Sequence, residues 1–538
     1  MKLQNASIVA AALLLPTAAA VNTTVDLSYS KYKGISLENG ISQWLGIRFA
    51  APPVGSLRFM PPQDPPHTSG LQRADKHGKY CLATMANPKS KKTSEDCLFL
   101  DVQAPTKATP NSKLPVFLYV QGGGFSTNSN PNINASGLIK ASDFSMVVVS
   151  FNYRVGPYGF LTDGKHISAN NGLRDQLKVM EWVQKHISKF GGDPKHVVLG
   201  GSSAGAESVV LHMTSNNGTG QKLFHGAIAE SPSFATMLTV SASAYQYRHL
   251  ATRLGCVGRD SLGCLRNKTA AEMQAQNINI PLPGAASAPN YMYVPVIDGD
   301  LVPDYTYRLL EQGKFARMPA IFGDDSNGGT QFTPENTSTL AESNQYILDQ
   351  YPFMNLDQLS EINELYPNPN NTCPSKGCYW RQVSNVYGEA RYMCPSRAFT
   401  SALAGAGVNN SFAYRWNVED PEQVKQGLGV PHTVELNALW GPEYSPKPPK
   451  SYKKGGRNEE ASPVIQRYWT NFIRTYDPNK GGSGSPDRNQ TAKWEPWSKG
   501  TQARLVFQTG GKAEMEPFGD ALNKRCDFWA KNGISMRL

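Results

Sequence analysis

The sequence predicts an α/β protein with a mostly parallel central sheet flanked by helices, and three observations carry that prediction. Short apolar runs recur along the 538-residue chain, at 116–120 (VFLYV), 146–151 (MVVVSF), 197–199 (VVL), 227–229 (AIA) and 320–322 (AIF). Runs without polar alternation fit strands buried on both faces, which is the signature of a parallel sheet. Helix-period segments lie between several of them, notably 172–190, as crossover connections require. No long low-complexity linker divides the chain, so residues 21–538 are expected to form a single domain.

Taken in order, the first twenty residues (MKLQNASIVAAALLLPTAAA) carry a lysine near the start, an apolar run at 8–15 and small residues at Ala18 and Ala20. That pattern is a cleaved secretory signal, and its apolar run is too short to span a bilayer. Residues 233–289 and 333–390 are richer in polar and helix-forming residues and are expected to build a helical cap over the sheet. The stretch GGSGSPD at 481–487 is expected to be an exposed loop.

Eight cysteines and eight Asn-x-Ser/Thr sequons, at Asn22, Asn134, Asn217, Asn267, Asn336, Asn370, Asn409 and Asn489, agree with export. No cysteine pair has zinc-site spacing. Closeness in sequence favours Cys81 with Cys97, Cys256 with Cys264 and Cys373 with Cys378, leaving Cys394 for Cys526. The formal charge of +10 is dispersed, apart from KSKK at 89–92 and PKPPKSYKK at 446–454. Without a basic stripe interleaved with aromatics, nucleic-acid binding is not expected.

The chemistry is concentrated at 190–209, FGGDPKHVVLGGSSAGAESV. An apolar strand, a Gly-x-Ser-x-Gly turn and a helix start form a nucleophile elbow, with Ser203 at the tip and Gly201 and Gly205 leaving room for strand and helix to cross. This elbow belongs to α/β-hydrolases, which present nucleophile, acid and histidine in that chain order. Only His212, His225, His249 and His432 follow Ser203 among nine histidines. The first three leave too little chain for an intervening strand and acid. His432, in GLGVPHTVELNALWGP, is the candidate general base. The turn Gln121-Gly122-Gly123-Gly124-Phe125 after an early strand offers backbone N–H groups, so the amides of Gly123, Gly124 and Ala204 are the candidate oxyanion hole. For the acid, the residues themselves offer Asp324 or Asp325 after the strand at 320–322. An acidic turn that merely caps the next element reads equally well. The same string resembles a calcium loop only faintly, lacks the closing acid, and no metal or cofactor is implied.

Over nearly its full length the chain resembles the type-B carboxylesterase/lipase family, the cholinesterase-like α/β-hydrolases, and particularly secreted fungal members. The resemblance is carried by GIRFAAPPVGSLRF (46–59), EDCLFLDV (95–102), QGGGF (121–125), FNYRVGPYGFL (151–161), the elbow, PVIDGDLVPD (295–304), the His432 loop, YWTNFIRTYDPN (468–479) and CDFW (526–529). It implies an α/β-hydrolase fold, ester hydrolysis through an acyl-enzyme, and disulfides Cys81–Cys97, Cys256–Cys264 and Cys394–Cys526. It also implies a contact of Ser231 with the triad acid. Two departures stand out. Gln121 replaces a common histidine, and Gly328 occupies the place of the family's catalytic glutamate, with Asp325 three residues earlier.

The Cys81 to Cys97 loop is short and has no aromatic residue between its cysteines. That argues against a lipase with a mobile apolar lid and against a cation–π site for choline. A small or medium carboxylic ester is therefore the expected substrate, with a tailoring role in fungal secondary metabolism as a variant implied by the resemblance. Two alternatives stay open: an acyltransferase using the same acyl-enzyme, and a weakened pseudo-hydrolase whose fold serves binding. The oligomeric state cannot be read from the residues.

Overall fold

The computed structural model describes residues 22–129, 132–220, 222–369, 376–481 and 491–538. The signal segment, Cys373, Asn370, Asn489 and most of the 481–487 loop lie outside the described residues.

Eleven strands form one sheet. In chain order they are β1 (Ile35–Ser36), β2 (Ile41–Arg48), β3 (Phe99–Pro105), β4 (Leu114–Val120), β5 (Val147–Phe151), β6 (Gly192–Ser202), β7 (Gly226–Glu230), β8 (Ala320–Asp325), β9 (Ser411–Asn417), β10 (Ala503–Gln508) and β11 (Lys512–Pro517). Across the sheet they run β11-β10-β9-β8-β7-β6-β4-β5-β3-β2-β1. Strands β4 to β10 pair in parallel, and antiparallel strands close both edges.

Period-two alternation sends the apolar runs to two cores at once. Val116, Leu118 and Val120 join one core while Phe117 and Tyr119 join the other. Val197 and Leu199 are likewise opposed to Val198, and Ala227 and Ala229 to Ile228. The first core is covered by α1 (Asn171–His186), α2 (starting at Ala204) and α4 (Cys394–Gly405). The second is covered by α5 (Ala461–Thr475), through Val464, Ile465, Tyr468, Trp469 and Phe472. Between β8 and α4 runs α3 (Trp380–Gly388), and α6 (Asp520–Asn532) ends the chain.

Six of the strands were not foreseen, and most of them carry polar residues whose partners lie across the sheet. Gln43 of β2 donates to Gln103 of β3 at 3.1 Å, and Gln103 donates onward to the Ile133 carbonyl. Arg415 of β9 forms a fork with Glu516 of β11 at 2.7 and 2.6 Å. Such pairs satisfy buried polar groups only once the strands are assembled. The two cap regions are helical as expected, with Val240–Arg253, Ser261–Asn267 and Ala270–Ala275 in the first and Leu340–Gln350, Leu356–Leu365 and α3 in the second. Capping boxes at Thr269/Glu272, Thr339/Glu342 and Asn355/Gln358 start three of them.

Three expected disulfides are present: Cys81–Cys97, Cys256–Cys264 and Cys394–Cys526. The last closes a separation of 132 residues and ties α4 to α6. The sequon residues Asn22, Asn217, Asn267, Asn336 and Asn409 are exposed and Asn134 is half-buried. Because long loops gain most from closure, Cys526→Ser should destabilise the fold by about 2–5 kcal/mol. Chemical denaturation of the secreted variant measures this, and an unchanged midpoint would contradict the expectation.

Candidate active site

Ser203 stands between β6 and α2 with φ +57° and ψ −124°. A β-carbon in that region is strained, and the crossing on either side explains why the strain persists. A Cβ on Gly205 would lie 2.0 Å from the Val120 carbonyl oxygen, and one on Gly201 would lie 2.6 Å from the Gly205 backbone. Only glycine lets β4, β6 and α2 pass this closely. The Ser203 N–H donates to the Glu230 carbonyl at 2.9 Å, which fixes the turn to β7.

The 121–125 turn lies beside the serine, since a Cβ on Gly122 would come within 2.8 Å of the Ser203 Cβ. Its carbonyls are pinned outward. Gly122 O accepts from the Ser129 amide, and Gly123 O accepts from the amides of Ser126 and Thr127 and from Thr127 Oγ1. A trans peptide directs its N–H opposite to its C=O, so these bonds orient the amides of Gly123 and Gly124. Neither of these amides, nor that of Ala204 at the start of α2, donates to a protein acceptor among the described residues. Gln121 is buried and its Nε2 reaches Asn128 and Asn152 at 3.3 and 3.4 Å, so this residue braces the turn.

His432 is buried, and neither ring nitrogen has a hydrogen-bond partner among the described residues. Aromatic rings hold it instead. Tyr392 stacks on the imidazole with centroids 4.0 Å apart, and Phe332 meets it edge-on at 5.3 Å. Burial, with the charge of Arg391, pushes its pKa down to about 3.

The acid expected at Asp325 does not meet the imidazole. Its Oδ2 accepts from the Thr433 amide at 2.7 Å and from Ser231 Oγ at 3.2 Å, and its carboxyl meets that of Glu435. The carboxyl therefore grips the histidine loop through its backbone. Burial and the neighbouring Glu435 carboxyl raise the Asp325 pKa, so this pair holds a proton instead of two negative charges. Ser231, which the resemblance placed against the triad acid, touches Asp325, a carboxyl that is not bonded to the imidazole. Gly328 has no positive φ, and a Cβ there would sit 3.2 Å from Tyr392 Cδ2. The ring of Tyr392 thus lies between Gly328, where the resemblance implied a glutamate, and the face of His432. The other candidate, Asp324, points towards Arg504 at 3.9 Å.

Arg391, Tyr392, Tyr291, Phe332 and Glu207 were missed in the sequence. No motif marks them. The signal was at most an arginine among aromatics in YGEARYMCP, 387–395. Among the described residues no cluster of His, Cys, Asp or Glu could hold a metal ion. A depression of about 1590 Å³ is lined by residues such as Lys140, Tyr444, Tyr468 and Arg474 of and around α5, and contains none of the site residues.

The strand order, elbow and glycine turn define an α/β-hydrolase, and residues 21–529 match the carboxylesterase family. The chain belongs to that family and is a carboxylic ester hydrolase. It is 30% identical over 529 residues to secreted lipase 4 of Gibberella zeae, covering 94% of this chain and 90% of that protein. It is also similar to the crystal structure of EstA from Aspergillus niger, with a TM-score of 0.90, 37% identity, and coverage of 97% of this chain and 99% of that one.

Two buried carboxyls give the site region a definite pH signature. Burial pushes Glu207 up to about 8, against a weaker pull from Arg391 and a hydrogen bond from the Ala235 backbone. Burial pushes Asp324 up to about 7 against Arg504 and Arg415. Both pKa values are raised on folding, so the native state holds protons that the unfolded chain releases above about pH 4–5. Each group then lowers stability as pH rises, by up to about 1.4 kcal/mol per unit, until its folded pKa is passed. The contribution of these two groups to unfolding free energy should therefore fall from pH 5 to pH 8, and Glu207→Gln should remove its share of that fall. Denaturant titrations at several pH values test this, and equal slopes for the two proteins would refute it.

Proposed function

We propose that the chain hydrolyses small or medium carboxylic esters through an acyl-enzyme on Ser203. The observation that carries the reading is the junction of the strained serine with three unengaged amides. In this reading Ser203 Oγ attacks the ester carbonyl carbon while His432 takes the hydroxyl proton. The carbonyl electron pair moves onto oxygen, where the amides of Gly123, Gly124 and Ala204 receive it. Collapse expels the alcohol with the proton from His432. Water then repeats the sequence and releases the acid. The N-terminal signal pattern, the disulfides and the secreted relative support an extracellular enzyme.

An imidazole without a carboxylate partner must choose its tautomer unaided, and the imidazolium formed during attack lacks a nearby negative charge. Turnover should accordingly be slow. An organophosphate should label Ser203 and Ser203→Ala should abolish ester hydrolysis, whereas a folded protein that shows no adduct would end the covalent reading. With His432 held neutral down to about pH 3 by burial and Arg391, kcat/KM for p-nitrophenyl acetate should stay level from pH 8 to pH 5. A fall centred near 6.5 would show an ordinary histidine.

Gly328 gives the sharpest test. Glutamate can adopt its backbone conformation, but its side chain must displace Tyr392. Gly328→Glu combined with Tyr392→Ala should exceed Tyr392→Ala alone by at least about tenfold in kcat/KM, about 1.4 kcal/mol of barrier. No gain, together with loss of activity in Asp325→Asn, would instead identify Asp325 as the acid.

A further inference from the structure

A buried guanidinium stands against the candidate site with one end unused. Arg391 and Tyr392 belong to a single π-helical turn, Glu389–Met393, between α3 and α4. Such turns recur at functional sites because the extra residue re-aims the side chains it carries. Arg391 is only 4% exposed. Its Nε donates to Ser233 Oγ at 2.9 Å, while Nη2 is buried with no hydrogen-bond partner among the described residues. Its guanidinium lies 5.4 Å from the Tyr291 ring and 5.6 Å from the Tyr387 ring.

These neighbours belong to the catalytic centre as read above. Tyr291 packs over Gly124, whose added Cβ would meet its ring at 2.3 Å. Tyr392 stacks on His432, and Glu207 sits one helical turn beyond Ser203, its amide bonded to the Ser203 carbonyl. The charge of Arg391 is felt at both His432 and Glu207.

The other buried arginines show what is missing. Arg58 is paired with Glu95, Arg154 with Asp175 and Arg504 with Glu516. Arg391 alone among them has no carboxylate within ion-pair distance among the described residues. Glu207 does not serve, because it lies beyond that distance and burial pushes it up to about 8, leaving it neutral at pH 7. Cation–π attraction from the two tyrosines offsets only part of the cost of burying a charge.

We propose that Arg391 recognises a carboxylate carried by the substrate, so that the preferred esters are anionic ones such as half-esters of dicarboxylic acids. The proposal rests on the esterase reading for its catalytic consequence, but not for its binding. A bound carboxylate would supply the missing counter-ion and accept from Nη2 in a charge-assisted hydrogen bond.

Binding to the Ser203→Ala protein separates the two questions, since no chemistry is needed. Isothermal titration would compare monomethyl glutarate with methyl pentanoate, and γ-acetoxybutyrate with butyl acetate, placing the carboxylate on the acyl or the alcohol side. At least one anion should bind tenfold more tightly than its neutral counterpart, about 1.4 kcal/mol. Arg391→Met should remove that preference and Arg391→Lys should retain part of it. Equal or weaker binding of both anions would overturn the proposal, with or without a folded Arg391 variant. In the unaltered enzyme the ratio of kcat/KM for p-nitrophenyl hemiglutarate and p-nitrophenyl pentanoate should also exceed ten. Brisk turnover of the neutral ester with no such ratio refutes Arg391 recognition and leaves the esterase standing. Absence of turnover with the anion preference intact in titration does the reverse.

Discussion

The site depends on one backbone crossing. Val120 at the end of β4, Gly201 at the end of β6 and Gly205 at the start of α2 approach so closely that a methyl group on either glycine would overlap peptide atoms. That contact sets the angle at which the strand turns into the helix. It also places the 121–125 turn, which continues directly from β4, beside Ser203. Ser203 and the amides of Gly123, Gly124 and Ala204 are therefore not positioned by separate loops. They are consecutive products of two neighbouring parallel strands, and the cores on both faces hold those strands in register. Removing either glycine would disturb all three elements together, because a packed interior transmits displacement instead of absorbing it.

The parts of the structure that the sequence made legible are those governed by local rules. The strand at Val197 to Leu199, the turn at Ser203 and the helix after it follow from short-range pattern, as does the choice of His432 from chain order. Cys394 and Cys526 were paired by the absence of nearer partners. What escaped was non-local. The Gln43–Gln103 and Arg415–Glu516 pairs look like interruptions of strands until the sheet is assembled. Tyr392 lies forty residues before His432 and has no motif relation to it, yet its ring is the closest thing that histidine has to an orienting partner. The same holds for Asp325, whose position in sequence suggested a triad member. Its Oδ2 is engaged by both Thr433 and Ser231, and its carboxyl meets that of Glu435, so it shapes the loop that carries the histidine without bonding to the ring.

Gly328, where the resemblance implied a glutamate, lies against the ring that stacks on His432, since a Cβ there would be 3.2 Å from Tyr392 Cδ2. Without a glutamate side chain, the space next to His432 is filled by an aromatic ring that excludes water and offers no negative charge. A neutral imidazole tolerates that environment; an imidazolium does not, since its charge is neither solvated nor paired. Arg391 behind the same aromatic group works in the same direction. It disfavours the protonated form of His432 and leaves the resting enzyme with a free base over a wide pH range.

This arrangement differs from a conventional triad in where the compensating charge would have to come from. A protein carboxylate normally answers the imidazolium throughout the reaction. Here the buried carboxyls nearest the site, Asp325, Glu435 and Glu207, are all shifted upward by burial, which weakens the negative charge they can offer. Arg391, whose charge is felt at His432, has no carboxylate within ion-pair distance among the described residues. An anionic substrate would cancel the field of Arg391 at the moment it binds, and this raises the proton affinity of His432 when the enzyme needs it to accept the Ser203 proton. A neutral ester leaves that field in place. On this argument, Gly328 in the place of the implied glutamate and the unpaired valence of the buried Arg391 are coupled, because a substrate that brings its own negative charge lessens the need for a permanent one beside the proposed base.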